Sequence, residues 1–289
     1  MKRTRVGVLI VLLLGTIAGA EAFVGQERNS VSIPTAAQCA EDSGTAVAVV
    51  PGGKIGSPQI PVLLVTSCTN KLFFLDPANP ATPVLTLTTT PGPTTGNWQA
   101  ITLRADKGDL LACQPVTGGT TLHSIDYSSL NTITDGTVVP VRNGPAGSTC
   151  AGLAWDSNDK TIYQTGLSGS QNVVFHFGES ATSTATSVLA NCPTGDSVTG
   201  ISVAGTSLFV SCATPVVSLN DEIRQGYKVD NSPGGAVRDV VVATPGSLAY
   251  DPVSLGSEFK DAIWTKGPGA QRPTGGGAGA VSWRVSPAR

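Results

Sequence analysis

Hydrophobic and polar residues follow one another along this chain in short runs that have no helical period. The clearest example is Gly152–Gly178, GLAWDSNDKTIYQTGLSGSQNVVFHFG, in which three runs of strand-favouring residues are separated by two polar breaks. The first break, Asp156–Asp159, contains Asp, Ser and Asn, whose side chains hydrogen-bond to the local backbone and favour turns. The stretch therefore predicts an antiparallel meander of three or four strands. After the N-terminal segment, no long segment has a period of 3.6, so we expect very little helix.

Weaker copies of this pattern recur at intervals of about fifty residues, which is a spacing typical of repeat architectures. Each copy, called a unit here, opens with a first run at Thr45–Val50, Gln99–Arg104, Ala151–Asp156, Thr199–Val203 or Ser247–Asp251. The second runs are Val62–Cys68, Asp109–Gln114, Thr161–Thr165, Ser207–Ala213 and Asp261–Thr265. The third runs are Lys71–Asp76, Thr121–Tyr127, Asn172–Phe177, Ile223–Val229 and Val281–Val285. Units one to four have fourth runs at Pro83–Leu87, Gly136–Val141, Thr186–Leu189 and Val237–Val242.

Repeated four-stranded units predict an all-β fold, and specifically a β-propeller, in which radial repetition leaves only short sheet edges. We count five blades; six is the alternative if two units are merged, and two tandem β-sandwiches are a different solution. Unit five has no fourth run before Arg289. The N-terminal run Arg28–Ile33 belongs to no unit, and pairing it as the missing outer strand would close the ring and remove two open edges.

The segments GLAWDSNDKTIYQT, SLAYDP and VLLVTSCTNKLFFLDP resemble blades of the broad YVTN, NHL and SMP-30-type propeller group. In that group, a strand ending in Asp turns directly into a strand of the form Ile/Leu-Tyr-Val. The resemblance implies a propeller but no single function, because the group includes lactonases, carriers and structural modules. SMP-30-type lactonases hold a divalent metal with an inner-strand Glu, and the only distant candidate here is Glu41. The family's metal site is therefore not carried over, and we expect neither a metal nor a cofactor.

The N-terminus has the features of a secretory signal peptide. Lys2, Arg3 and Arg5 precede an apolar run from Val6 to about Ala20, and a small-x-small site follows, with cleavage expected after Ala22. The run is shorter than the ~20 residues of a membrane-spanning helix. We expect residues 1–22 to be removed and residues 23–289 to form one propeller domain. The mature chain should be secreted, extracellular or periplasmic, with no membrane span.

The distribution of charge argues against a nucleic-acid partner. Charged residues make up 13% of the chain, the formal net charge is -2, and no stripe of Lys and Arg is present. Nucleic-acid binding depends on such a stripe, so we expect no nucleic-acid partner. We expect a monomer.

The six cysteines predict a disulfide framework, because an even number in an exported chain is typical of one. Three of them lie at or near the ends of second strands, namely Cys68, Cys113 and Cys212. The other three, Cys39, Cys150 and Cys192, precede first strands. In an antiparallel meander these positions lie at the same edge, so all six should fall on one face of the disc, the cysteine face. We expect Cys39–Cys68 and Cys192–Cys212 within blades and Cys113–Cys150 between blades. A metal or redox role is the alternative.

The sequence contains few candidates for catalysis. His123 and His176 align one residue apart in third strands, so their side chains should point to opposite sides of their sheets and share no site. Asp106, Asp156 and Asp251 follow first strands, where they could surround a channel, but turn capping is the simpler interpretation. Their hairpins define the opposite face of the disc, the hairpin face. The inner strands carry almost no acids, which disfavours a glycosidase.

These observations favour a non-enzymatic secreted propeller that binds a glycan, a peptide or a surface partner through loops on the cysteine face. An SMP-30-like lactonase or hydrolase with an unrecognised metal site is the alternative. The candidate ligand-binding residues are the polar and aromatic side chains of those loops, namely Trp98, Arg142, Asn143, Asp196, Asp221, Glu222 and Arg272. Trp and Arg are enriched in binding hot spots. No catalytic residue is proposed.

Overall fold

A computed structural model describes residues 27–32, 46–55, 60, 62–94, 96–127, 135–213, 222–229, 231, 233–237, 247–251, 262–267 and 279–284. Strand β1 spans Glu27–Ser32. Unit one contains β2 (Val47–Pro51), β3 (Val62–Cys68), β4 (Lys71–Leu75) and β5 (Leu85–Thr90), with a short 3-10 helix at Gly52–Ile55. Unit two contains β6 (Ala100–Arg104), β7 (Asp109–Val116), β8 (Gly119–Asp126) and β9 (Asp135–Asn143).

The remaining units repeat this arrangement. Unit three contains β10 (Ser148–Asp156), β11 (Thr161–Ser168), β12 (Gln171–Gly178) and β13 (Thr186–Leu189). Unit four contains β14 (Ser197–Ala204), β15 (Ser207–Ala213), β16 (Glu222–Tyr227) and β17 (Pro233–Val237). Unit five contains β18 (Ser247–Asp251), β19 (Ala262–Gly267) and β20 (Gly279–Arg284). Within the described ranges, no helix has the length and apolarity needed to cross a membrane.

The strands of each unit pair antiparallel in sequence order, and the first strands come together at the centre of the molecule. Each of the strands β2, β6, β10, β14 and β18 contacts the next one in this order, and β18 contacts β2, so the first strands form a closed ring. Sheets arranged radially around such a ring define a propeller-type fold. The expected all-β propeller architecture is thus confirmed.

The N-terminal strand completes the last unit, as the unpaired run Arg28–Ile33 predicted. Strand β1 pairs antiparallel with β20, with Ser30 opposite Val281 and Ser32 opposite Gly279. The resulting sheet has the order β1-β20-β19-β18, so a strand from the beginning of the chain is the outer strand of unit five. The closure expected from sequence is therefore confirmed.

Two features of the outer strands differ from the sequence-based expectation. Strand β5 continues past the predicted end at Leu87, and its Thr88–Thr90 segment pairs in parallel with Asp135–Thr137 of β9, which merges units one and two into one eight-stranded sheet. Strand β17 begins at Pro233, four residues before the predicted Val237. An outer strand tolerates Pro as its first residue, because its outer edge has no neighbouring strand that needs the missing amide.

The hydrophobic core consists of layers between adjacent sheets, because the sheets of units one, two and three each bury both faces. Strand β2 shows how the sequence achieves this with a period of two. Ala48 and Val50 pack with Ile101 and Leu110 of unit two, whereas Val47 and Val49, one residue out of phase, pack on the other side, in the cluster that includes Ala249 of unit five. Similar layers separate units two and three, and units three and four. Inner strands therefore show continuous apolar runs such as AVAVV.

On the hairpin face, ion pairs connect unit three to unit two and unit four to unit three. The residues involved occupy equivalent positions in the two cases. The turn after the third strand of unit three carries Glu179, whose carboxylate binds Arg104 and Lys107 in the first hairpin of unit two. The corresponding turn of unit four carries Lys228, whose ammonium lies 2.5 Å from both Asp156 and Asp159 in the first hairpin of unit three. We call these two contacts the hairpin clasps.

The two hairpin clasps have the same geometry but opposite polarity. Arg104 and Asp156 each end a first strand, and Lys107 and Asp159 lie three residues further on. Glu179 and Lys228 each directly follow a third strand. If either turn were packed against the other hairpin, like charges would meet, which is a common way to exclude a wrong partner. The polarity therefore favours the observed neighbours over a slipped arrangement of units.

Burial makes the Lys228 clasp sensitive to the loss of one partner. The side chains of Asp156 and Lys228 are 3% and 13% exposed. A hydrogen bond from Lys228 lowers the pKa of Asp159 below its ordinary value of 3.8. Because this carboxylate has a lowered pKa in the folded state, its stabilising contribution is complete at neutral pH and is lost as the pH falls through that lowered pKa.

We predict that Lys228→Met lowers the free energy of unfolding by about 3 to 5 kcal/mol, because it leaves the buried Asp156 carboxylate without its cation. Lys160→Met is the matched control. Lys160 binds Asp106 at 2.8 Å but is 56% exposed, so we expect a loss of at most about 1 kcal/mol. Urea unfolding at neutral pH measures both values, and equal losses would contradict the buried clasp.

Glycine allows the inner strands of units three and four to approach closely near the cysteine face. A Cβ atom on Gly152 of β10 would lie 2.6 Å from the backbone nitrogen of Ile201 and 2.9 Å from the carbonyl carbon of Gly200, both in β14. Backbone atoms cannot move aside as a flexible side chain can. The ring of first strands can therefore close at this point only with glycine.

We predict that Gly152→Ala destabilises the protein by at least about 1 to 3 kcal/mol, the usual cost of overpacking a well-packed interior. Gly119→Ala is the control, because a Cβ atom there meets nothing within 4 Å. Thermal and urea unfolding of both variants would decide. A Gly152→Ala protein as stable as the control would show that the two strands can separate at little cost.

Candidate functional site

Two of the predicted disulfides are present. Cys113–Cys150 joins unit two to unit three, and Cys192–Cys212 joins the loop entering unit four to its second strand. Both have Cα–Cα distances of 5.5 Å, within the expected range. Cys68 is also disulfide-bonded, whereas its predicted partner Cys39 lies outside the described residues. The structure thus confirms the inter-unit bridge and the bridge of unit four.

A groove of about 580 Å³ lies on the cysteine face beside the Cys192–Cys212 disulfide. One wall is the turn between the second and third strands of unit three, and the other is the loop from unit three to unit four. The lining residues are Leu167, Ser170, Gln171, Asn172, Leu189, Asn191, Cys192, Pro193, Thr194, Gly195, Asp196 and Ser197. Its volume is typical of a small-molecule or side-chain binding site.

Hydrogen bonds hold the two walls together. The side-chain amide of Asn172 donates to the carbonyl of Asp196 across the groove at 3.0 Å. The backbone carbonyl of the same Asn172 accepts from the amide of Ala190 at 3.0 Å. With the disulfide at Cys192, these bonds fix the loop at its beginning and near its end. A groove fixed in this way loses little conformational entropy when a ligand binds.

The same loop is also attached to unit four. The side-chain amide of Asn191 donates to the carbonyl of Asn231 at 3.0 Å, and the amide of Asn231 donates to the carbonyl of Leu189 at 2.7 Å. The guanidinium of Arg224 donates to the carbonyl of Asn191. Asn191 has a positive φ of 56°, which Asn tolerates better than most residues. The groove therefore lies where units three and four meet.

The lining combines apolar and polar groups. Leu167 and Leu189 are each 47% exposed, although leucine is usually buried. Between them lie amide, hydroxyl and carboxylate groups, including Gln171 and the mostly buried Asp196. Among the described lining residues, no histidine or second carboxylate accompanies Asp196. Paired acid and base groups, which hydrolysis uses, are not among them.

Of the residues predicted from sequence, Asp196 lies in this groove and Trp98 does not. Trp98 is fully buried in the core between units one and two. Its indole donates to Thr89 at 3.2 Å, and its ring packs against His123. The loop position suggested an exposed side chain, but the large apolar ring fills the core instead. We therefore leave Trp98 out of the proposed site.

Arg142 and Asn143 lie at the end of β9, and Arg142 connects two units. Its guanidinium donates to the carbonyls of Gly178 and Ser180 in unit three, at 2.6 and 2.7 Å, and lies 4.6 Å above the ring of Phe177. These contacts occupy Arg142 structurally. Asn143 is exposed and accepts a hydrogen bond from Thr121, away from the groove residues.

The other predicted residues are placed only in part. Glu222 begins β16, opposite Cys212. Asp221 and Arg272 lie outside the described residues. The sequence reasoning missed Asn172 and the two leucines because it treated the turn at 166–170 only as a break between strands. The unusual Leu167 within that polar turn was the available signal.

The two histidines are packed on separate aromatic rings. His123 contacts Trp98 edge-on, with ring centroids 5.2 Å apart, and His176 stacks on Tyr163 at 4.5 Å. Burial lowers the pKa of both imidazoles. The aspartates after the first strands differ from one another. Asp156 accepts from the amide of Asn158 at 2.9 Å, as a turn-capping Asp should, whereas Asp106 accepts from Trp155 of the next unit at 2.6 Å.

No protein-family model and no curated protein matches this sequence. Among solved structures, the chain is similar to a luciferin-regenerating enzyme (13% identity, 77% of this chain and 73% of that chain, TM-score 0.48). It is also similar to a chain of a nidogen/laminin complex (13%, 73% and 72%, TM-score 0.45) and to TolB from Acinetobacter baumannii (12%, 82% and 49%, TM-score 0.39).

At these identities and TM-scores, the similarities assign no activity, ligand or partner to this chain. The resemblance to the YVTN, NHL and SMP-30-type group therefore holds at the level of a propeller-type fold, which the ring of first strands defines independently. It does not select the SMP-30 group. The function has to be argued from the groove itself.

We predict that replacing both Cys192 and Cys212 by Ser lowers the free energy of unfolding by about 3 kcal/mol in the chain-entropy model, for a sequence separation of 20 residues. It should also accelerate amide hydrogen exchange in the groove loop, residues 189–197. The control replaces both Cys113 and Cys150 by Ser. It should lower the free energy of unfolding by about 4 kcal/mol, for a sequence separation of 37 residues, and leave hydrogen exchange in the groove loop unchanged. Equal exchange in both variants would show that the disulfide does not hold the groove.

Proposed function

We propose that this protein is a secreted, non-enzymatic β-propeller that binds a glycan, a peptide or a surface partner through the groove on the cysteine face. The observation that carries the proposal is a concave surface where two half-exposed leucines flank amide and hydroxyl groups, on a loop fixed by a disulfide. Such a surface offers hydrogen bonds for orientation and apolar area for affinity.

The proposed location follows from two independent features. The predicted signal peptide would export the chain, and the two described disulfides are consistent with an oxidising compartment. An extracellular or periplasmic binding protein acting as a monomer fits both. The N-terminal segment lies outside the described residues, so export remains a prediction from sequence.

An SMP-30-like lactonase is the alternative function. The groove does not favour it, because Asp196 is the single carboxylate among its described lining residues. Divalent metal retained after dialysis, together with lactone hydrolysis by the same preparation, would replace the binding hypothesis with this one.

We predict that Ser170→Trp abolishes binding of the oligosaccharide or peptide that the wild-type protein binds most tightly in a glycan array and a random peptide library. Ser170 is an exposed residue of the groove, so the indole would fill the groove without entering the core. Asn172→Ala should weaken the same interaction at least fivefold, because the bond that joins the two walls is lost.

Thr184→Trp is the matched control, because Thr184 is also an exposed hydroxyl residue of a loop in unit three but does not line the groove. It should bind the selected probe with wild-type affinity. Surface plasmon resonance with the folded variants measures all three affinities. Loss of binding in the control but not in Ser170→Trp would place the site elsewhere and contradict the proposal.

A further inference from the structure

The ring of first strands encloses a second cavity, at the end of the central channel nearest the hairpin face. Its volume is about 310 Å³, and all five units contribute to its wall. The lining comes from the last residues of the first strands and the turns that follow them, beginning at Ala48, Thr102, Ala154, Ser202 and Ala249 in the five units. Small alanine side chains from units one, three and five leave this space open.

The wall of this cavity is rich in backbone hydrogen-bonding groups. Each of the strands β2, β6, β10, β14 and β18 is the end strand of its sheet or sheet half, so one edge of each pairs with no strand among those described. The cavity is lined by residues of these strands, so it is bordered by strand edges that carry backbone amide and carbonyl groups. Buried backbone groups are almost always satisfied, by water or by a ligand when the protein supplies no partner.

The charge of the cavity is already balanced by the protein. Asp156 is the single ionisable side chain among the described lining residues. One of its oxygens accepts from the amide of Asn158, and the other lies 2.5 Å from the Lys228 ammonium. A charged ligand would lose its hydration and find no unpaired opposite charge, which is strongly unfavourable. An uncharged ligand carries no such cost.

Access to the cavity is from the hairpin face. On the hairpin side, the lining includes the exposed turn residues Ala105, Ser157 and Asn158 and the turn residue Gly205, which has a φ of 58°. These turns form the rim through which a ligand would enter.

We infer that the hairpin end of the central channel is a second binding site, for a small uncharged molecule that carries several hydroxyl or amide groups. The backbone edges and the hydroxyl of Thr102 provide donors and acceptors, and Leu103 and Trp155 provide apolar contact. The site is independent of the cysteine-face groove, because no residue lines both cavities.

The test uses ring-shaped probes of similar size that differ in charge. Saturation-transfer NMR with the purified full-length protein compares the neutral myo-inositol and glucose with the anion glucuronate and the cation glucosamine. We expect saturation transfer to at least one neutral probe and at least tenfold weaker binding of both charged probes. No transfer to either neutral probe, which would indicate a cavity filled by water alone, or preferential binding of a charged probe would overturn the inference.

Blocking variants locate the binding. Ser157→Trp and Ala105→Trp place an indole at the rim from two different units, and both positions are exposed, so at least one should fold with a wild-type circular dichroism spectrum. Each folded variant should weaken the neutral probe at least tenfold. Ser170→Trp, which blocks the cysteine-face groove, should leave this affinity unchanged. Binding that survives both rim variants, or that is lost in Ser170→Trp, would contradict the central site without bearing on the function proposed for the groove.

Discussion

The sheets of units one, two and three are covered on both faces by their neighbours, so none of them forms its core alone. The layer between units one and two shows the dependence: Phe74 of unit one and Tyr127 of unit two are fully buried only because the two sheets pack together. Burying one such side chain contributes about 1.5 to 3 kcal/mol. A circle of mutually dependent layers has to close, and the pairing of β1 with β20 joins the two ends of the chain to achieve this.

Packing alone does not specify the order of the units, because the layers are built from similar aliphatic residues. The hairpin clasps add that information. Glu179 meets cations of unit two and Lys228 meets anions of unit three, at equivalent positions. At the corresponding position of unit two, Tyr127 replaces a charged residue and packs against Phe74. Three successive interfaces thus use an aromatic, an acidic and a basic residue at equivalent positions after the third strand, so each turn fits one neighbour better than the others.

The sequence predicted the units well because the inner strands of units one to four are largely buried on both faces, which produces apolar runs between turn residues. The strands Val62–Cys68, Thr186–Leu189, Ser207–Ala213 and Ser247–Asp251 have their predicted bounds. The pairing of Cys113 with Cys150 was also predicted, because these two cysteines remained after the pairs expected within units. The parallel contact of β5 with β9 was not, since pairing between outer strands leaves no periodic signal in a single strand.

The candidate site was predicted less well, for a physical reason. Loop residues with polar or aromatic side chains are exposed in some loops and buried in others, and composition does not separate them. Trp98 and Asp196 were both chosen by residue type, yet one fills the core and the other lines the groove. Exposure of Leu167 and Leu189 depends on how the loop of residues 189–197 folds, which is set by bonds to Asn172 and Asn231 that are distant in sequence.

The two faces of the disc are stabilised by different kinds of interaction, and this difference bears on how their cavities behave. Disulfides and amide hydrogen bonds hold the cysteine face, so the groove keeps its shape over a wide range of pH and salt but depends on an oxidising environment. Ion pairs hold the hairpin face, and Lys228 joins the wall of the central cavity to unit four through Asp156. Exposed partners such as Asp159 are weakened by salt and by acid, whereas the buried pair is screened much less. The exposed contact of Asp159 at the hairpin face therefore responds to ionic conditions, whereas the buried Asp156–Lys228 pair at the cavity wall and the disulfide-bonded groove respond much less.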